Sequence, residues 1–167
     1  LGKGISLKST LEINSDRINF LLESTNPNYK NSNRSLSYSF ENTAIDEMAN
    51  SGYKSNKSGF NVASRFEQYE DIYFRPKISL YYEDIVTDDS ASSSYKKQEG
   101  TYFDTFFNYS LRHDLRNSSY RPSDGYRIVF YQELPVISER NEIVNSFEYV
   151  KYQKLVKDMV GRLSFYG

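Results

Sequence analysis

Apolar residues along this chain recur mostly at spacing two, and the runs that carry them are separated by clusters of Asn, Ser, Asp, Gly and Pro. That is the pattern of half-buried strands. Ile5, Leu7, Leu11 and Ile13 alternate with Lys8, Thr10 and Glu12; Asn14-Ser15-Asp16 reads as a tight turn; Ile18, Phe20 and Leu22 then oppose Arg17, Asn19 and Glu23, completing a hairpin. Asn26-Pro27-Asn28 ends the second strand, because proline removes a ladder donor and asparagine favours turns. A third strand over residues 35–41 sets Leu36, Tyr38 and Phe40 against Ser35, Ser37 and Ser39. Residues 44–57, polar apart from Ile45, Met48 and Tyr53, read as a loop, with a turn or two of helix over 43–48 as the competing assignment.

Strand four carries Phe60, Val62 and Phe66 against Asn61 and Arg65, and strand five, over 73–85, carries Phe74, Ile78, Leu80 and Tyr82 against Arg75, Lys77 and Ser79. Residues 87–100 have the composition of a mobile exposed loop, with Tyr95 its one ring. Strand six alternates Phe103, Phe107, Tyr109 and Leu111 with Asp104, Asn108, Ser110 and Arg112. After a Pro/Gly turn at 121–125, strand seven carries Ile128 and Phe130 and is closed by Leu134-Pro135. A polar loop to Asn145 leads into strands eight and nine over 147–156 and 159–166.

About nine strands at a repeat of roughly 18 residues suit membrane hairpins better than the ~8–12-residue spacing of small soluble sandwiches. No strand is apolar on both faces. The face opposite the rings carries Lys8, Arg17, Arg65, Arg75, Lys77, Asp104, Arg112 and Glu133, which suit a watery lumen, while Tyr and Phe near strand ends suit aromatic girdles. A soluble β-sandwich or lipocalin-like binding module is the competing architecture.

The chain of 167 residues has the length of one domain. Its 16 Tyr and 11 Phe supply much of the apolar material, and Trp and Cys are absent. Without cysteine there is no disulfide framework, thiolate metal site or Cys nucleophile. With 21 Lys+Arg against 22 Asp+Glu there is no basic field for nucleic acid. No apolar run reaches the ~18 residues of a spanning helix, which leaves barrel strands untouched. His113 is the sole histidine and no Gly-x-Ser-x-Gly elbow occurs, so a His-based triad has little support. Asp84, Asp88 and Asp89 lack the spacing of a calcium loop, and Gly2-Lys3-Gly4 is not followed by the helix a phosphate loop requires. Paired acids of the glycosidase kind would meet only in the fold. The expectation is a non-enzyme without metal or cofactor. Leu1-Gly2-Lys3-Gly4 has neither initiator Met nor signal peptide, which reads as a piece cut from something longer.

The run from His113 through Asp114, Arg116, Pro122 and Gly125 to Tyr126 resembles the strand-turn-strand motif of BamA-type outer-membrane assembly factors, in which an Asp-x-Arg pair precedes a Pro-x-x-Gly-Tyr turn. Leu1-Gly2-Lys3-Gly4, the first hairpin, and the Asn26-Pro27 terminator resemble that family's entry into its first two barrel strands. The physical reading of the turn stands beside this: Pro122 fixes φ, Gly125 accepts a positive φ, and Asp114 and Arg116 pair or bond the backbone, as in any tight β turn.

The resemblance implies an all-β fold, an antiparallel up-and-down transmembrane β-barrel of about sixteen strands preceded by POTRA domains. Residues 1–167 would form its N-terminal portion, with roughly nine of those strands. It implies a bacterial outer-membrane protein that folds and inserts β-barrel clients. Its expected partners are outer-membrane lipid, unfolded client proteins, and periplasmic lipoproteins reached through the POTRA domains. The first strand, with Gly4, Ile5, Leu7, Ser9, Leu11 and Ile13, would be one side of a lateral gate, with Gly2 and Gly4 easing its opening or serving as a flexible linker. Connections near 26–34, 68–71, 114–125 and 157–158 would then be periplasmic, and 45–57 and 87–100 would face outside. A porin-like or secretion channel shares the same signature.

Overall fold

In a computed structural model, the protein is one antiparallel sheet of nine strands in chain order, with each strand bonded to its sequence neighbours. The structure describes residues 4–138, 142–157 and 159–167. The strands are β1 Ser6–Ile13, β2 Arg17–Asn26, β3 Ser35–Glu47, β4 Tyr53–Tyr69, β5 Ile72–Thr87, β6 Gly100–Asp114, β7 Gly125–Ile137, β8 Val144–Val156 and β9 Met159–Tyr166. The meander is as expected. A single sheet among the described residues has no second layer to face, which sets the sandwich aside.

Register sorts the side chains into two faces, because neighbours directly opposite one another point the same way. One row runs Tyr38, Val62, Ile78, Phe107, Leu134 across β3 to β7. A row on the other face runs Ser37, Ala63, Lys77, Asn108, Glu133 over the same strands. Burial is inverted relative to a protein that folds around an oily core: Ser79 is 0% and Asn108 1% exposed, whereas Ile78 is 53% exposed. The polar face lines the hollows and the apolar face is bare, an arrangement that suits lipid outside and water within.

Several expectations about loops and strand ends are corrected. Residues 44–57 are mostly strand: β3 continues to Glu47, a single helical turn α1 spans Met48–Ser51, and β4 starts at Tyr53. Ladder bonds continue where apolar alternation stops, supported by the Asn42 amide donating to Asn56 Oδ1 at 2.8 Å and by the Lys54–Asp46 ion pair at 3.3 Å. Gly52, at φ +68°, closes α1 in the left-handed region. The helical alternative thus falls five residues later than its proposed start and only one turn long.

Residues 88–99 are not merely exposed. They contain a one-turn helix α2, Ser93–Lys96, capped by the Ser92 hydroxyl, and Tyr95 stacks on Tyr53 at 4.4 Å. Leu134-Pro135 does not close β7, which runs on to Ile137: Pro135 opposes Phe106 at a shift in register, where a missing N–H does least harm. Pro76 uses a related device inside β5. It pairs with Tyr109 of β6, while the β4 ladder skips from Ala63–Lys77 to Phe66–Phe74 around it. The polar loop before β8 ends a residue or two earlier than expected, at Val144.

Candidate functional site

Two features carry the candidate chemistry: the edge strand and the β6–β7 turn. β1 pairs with β2 from Ser6–Thr25 to Ile13–Ile18 and has no strand on its other side among the described residues. The strand begins at Ser6, so Gly4 and Ile5 precede it, and Gly4 has φ +66° with open space around it. Leu7, Ser9, Leu11 and Ile13 share the apolar face, opposite Ser24, Leu22, Phe20 and Ile18. Leu7 is 72% exposed. Gly2, invoked for gate opening, lies outside the described residues, as does Asp158 of the expected β8–β9 turn.

β2 ends at Asn26, whose Oδ1 accepts from Asn28 N at 3.1 Å. Beyond Pro27 a single 3-10 turn, Tyr29–Asn31, follows, with Lys30, Asn31 and Asn33 at positive φ. Asn28 Oδ1 ties the turn by accepting from Asn33 N at 3.0 Å.

At the β6–β7 turn, Asp114 is the last residue of β6 and its carboxylate accepts from Arg116 Nε at 2.7 Å and Nη2 at 2.9 Å, a bidentate fork; Arg112 pairs with it from the strand side. The Arg116 side chain is 9% exposed, and its bond to Asp114 holds the guanidinium above its ordinary pKa. Asn117 stitches the rest: its amide donates to Ser123 Oγ at 2.7 Å, and its Oδ1 accepts from Ser123 N and Asp124 N. Gly125, at φ +91°, admits no side chain, since a Cβ would lie 2.0 Å from Leu115 O. Tyr126 meets His113 edge-on at 5.4 Å. Asp114, Arg116, Gly125 and Tyr126 are therefore brought together, with Pro122 in the span that Asn117 closes.

Sequence reasoning missed a lattice on the polar face. The Tyr81 hydroxyl donates to Glu41 Oε1 at 2.8 Å, Asn61 Nδ2 donates to the same oxygen at 3.2 Å, and the Asn108 amide donates to Ser79 Oγ at 2.9 Å. A signal was present in Gly59, a glycine inside a strand pattern, which marks a close approach. A Cβ there would lie 2.5 Å from Tyr81 Cε1.

Comparison with known proteins bears on this geometry. The crystal structure of BamA from Haemophilus ducreyi lacking POTRA domains 1-3 superposes with a TM-score of 0.76 at 17% identity, covering 100% of this chain and 36% of that one. The likeness is one of fold, and the chain spans about a third of that structure's length. No curated protein matches the sequence. A profile described as the Omp85 superfamily domain matches residues 1–165, so that strand order, inverted faces and sequence agree, and the chain belongs to the Omp85 superfamily.

Proposed function

We propose that this chain is the N-terminal part of the barrel of a bacterial outer-membrane assembly factor, which folds and inserts β-barrel proteins with β1 as one side of a lateral gate. What supports this reading is the nine-strand meander with a polar hollow-lining face and a bare apolar face, similar in fold to the BamA barrel; among the described residues β1 and β9 are both bonded on one side only, and it is the family resemblance that assigns the gate to β1. An edge of free N–H and C=O groups recruits an incoming strand by backbone bonds with little demand on its sequence. Work of that kind needs no catalytic residue and no cofactor, and we read the protein as a non-enzyme. Its partners on this reading are outer-membrane lipid, unfolded client barrels, and periplasmic lipoproteins held by POTRA domains. The Asp114–Tyr126 turn would then face the periplasm.

The test is site-specific crosslinking in the full-length protein under assembling conditions. Leu7 and Leu11 are expected to crosslink to a client's terminal strand and Phe107, in the middle of the sheet, is not. Absence of any β1 crosslink overturns the gate. A passive channel is the second reading, favoured by Arg75, Lys77 and Arg112 on the hollow-lining face; a steady, ion-selective single-channel conductance would support it instead.

A further inference from the structure

Three guanidinium groups on neighbouring strands share one hollow of about 240 Å³ on the polar face, toward the β6–β7 turn: Arg65 of β4, Arg75 of β5 and Arg112 of β6, with Tyr73, Ser110 and Val129 completing the wall. Arg65 and Arg75 fall where the β4–β5 ladder passes from Ala63–Lys77 to Phe66–Phe74, and Arg112 is opposite Tyr73 of β5. Like charges set side by side across a ladder repel. Neither Arg65 nor Arg75 has a carboxylate within ion-pair distance among the described residues. Asp114 does not relieve them, because Arg112 and Arg116 already hold it, and Asp71 lines the neighbouring hollow instead. The Arg65 guanidinium is nonetheless held in place, its carbon 4.6 Å from the centre of the Tyr73 ring.

Every polar side chain on this wall can donate: the guanidinium groups do nothing else, and the hydroxyls of Tyr73 and Ser110 add two more donors. Such a wall suits a ligand that only accepts, and two features choose among oxyanions. Arg65 and Arg75 leave two positive charges uncompensated, which matches the roughly −1.5 to −2 of a phosphate monoester rather than the single charge of a carboxylate. The guanidinium groups come from three strands, and the three terminal oxygens of a phosphate can meet one each, whereas a planar carboxylate is filled by one or two forks. We propose that this hollow binds the phosphate group of a small phosphorylated solute, held by Arg65, Arg75 and Arg112. The bound group ties β4, β5 and β6 together across the polar face and so stabilises the folded sheet. The proposal goes beyond the insertion reading and does not rest on it, since it concerns the polar wall and not the edge at β1.

The test uses full-length protein in detergent micelles, titrated calorimetrically with inorganic phosphate at constant ionic strength and about pH 8, where phosphate is mostly a dianion. Acetate serves as the planar, singly charged counterpart. Phosphate is expected to bind and to raise the unfolding temperature, and acetate to bind at least ten-fold more weakly. Arg75→Gln should weaken phosphate at least ten-fold, and Arg75→Lys, which keeps the charge and loses the fork, should weaken it as well. Lys57→Gln removes a cation that lines another hollow of the same face and should leave phosphate binding unchanged. Heat-modifiable migration reads the folding of each variant, and Arg75→Lys carries the test should Arg75→Gln fail to fold. The proposal is overturned if phosphate does not bind, if acetate binds as tightly, if a folded Arg75 variant binds phosphate as the parent does, or if Lys57→Gln weakens binding as much as the Arg75 variants do. Crosslinking at β1 is a separate readout, so failure here and failure of the gate are distinguishable.

Discussion

The Tyr81 hydroxyl reaches Glu41, two strands away, by lying across Gly59, which stands between them in the register Glu41–Gly59–Tyr81. The contact ties β3 to β5 over the back of β4. Gly59→Ala places a methyl 2.5 Å from the ring, so the ring must shift and the bond to Glu41 must lengthen. A loss of ~1–3 kcal/mol is expected from that overpacking, and ~1 kcal/mol from Tyr81→Phe. The two losses should be less than additive in urea unfolding of the micellar protein, because the first already breaks the bond removed by the second. Full additivity would show that the ring does not bridge the strands.

Gly125→Val is expected to lower the yield of folded barrel sharply. The new Cβ meets Leu115 O, a backbone atom that cannot swing aside, in a left-handed conformation that already costs a branched residue ~1–3 kcal/mol. Heat-modifiable migration on a gel reads the folded fraction, and migration unchanged from the parent would contradict the account of the turn.

Asp114→Asn leaves the Arg116 guanidinium nearly buried without its bidentate acceptor. Breaking a pair of this kind costs ~3 kcal/mol. Arg116→Lys should lose much of the same, since a point charge does not reproduce the fork. Both are read by the denaturation midpoint, and an Arg116→Lys variant as stable as the parent would show that the fork carries no energy.

Arginine placed on alternate faces distinguishes lipid from water directly. Val62→Arg, on the apolar face, should cost ~2–4 kcal/mol near the middle of the bilayer, whereas Ser37→Arg, on the hollow-lining face of the neighbouring strand, should cost well under that. Equal costs in a reconstituted unfolding titration would remove the distinction between the faces.

The nine strands and their faces were legible because a period of two survives wherever one side meets lipid: Phe60, Val62 and Phe66 mark β4 as plainly as any pattern does. That signal fails where strands run past the lipid. Asn42, Thr43 and Asn56 sit in ladder bonds yet are polar themselves, so nothing in their own hydropathy separates strand from loop. Prolines misled for a related reason. Pro135 reads as a terminator, but its partner strand absorbs it in a register shift that only the pairing reveals. Of the candidate site, the turn motif was readable residue by residue, since Asp114, Arg116 and Gly125 act within a dozen positions. The Glu41–Tyr81 bridge joins residues forty positions apart, and local pattern is silent on such meetings.

The central claim is that the ring-rich face is wetted by lipid and its reverse by water, and these 167 residues hold no cysteine of their own. Single cysteines at successive β5 positions from Lys77 to Tyr82, spin-labelled in the full-length protein reconstituted into bilayers, report collision with oxygen, enriched in lipid, and with a water-soluble nickel chelate. Oxygen accessibility should peak at Ile78, Leu80 and Tyr82 and fall at Lys77, Ser79 and Tyr81, a period of two. Nickel accessibility equal to or greater than oxygen accessibility at Ile78 and Leu80 would mean that water covers both faces, and the barrel account would fail.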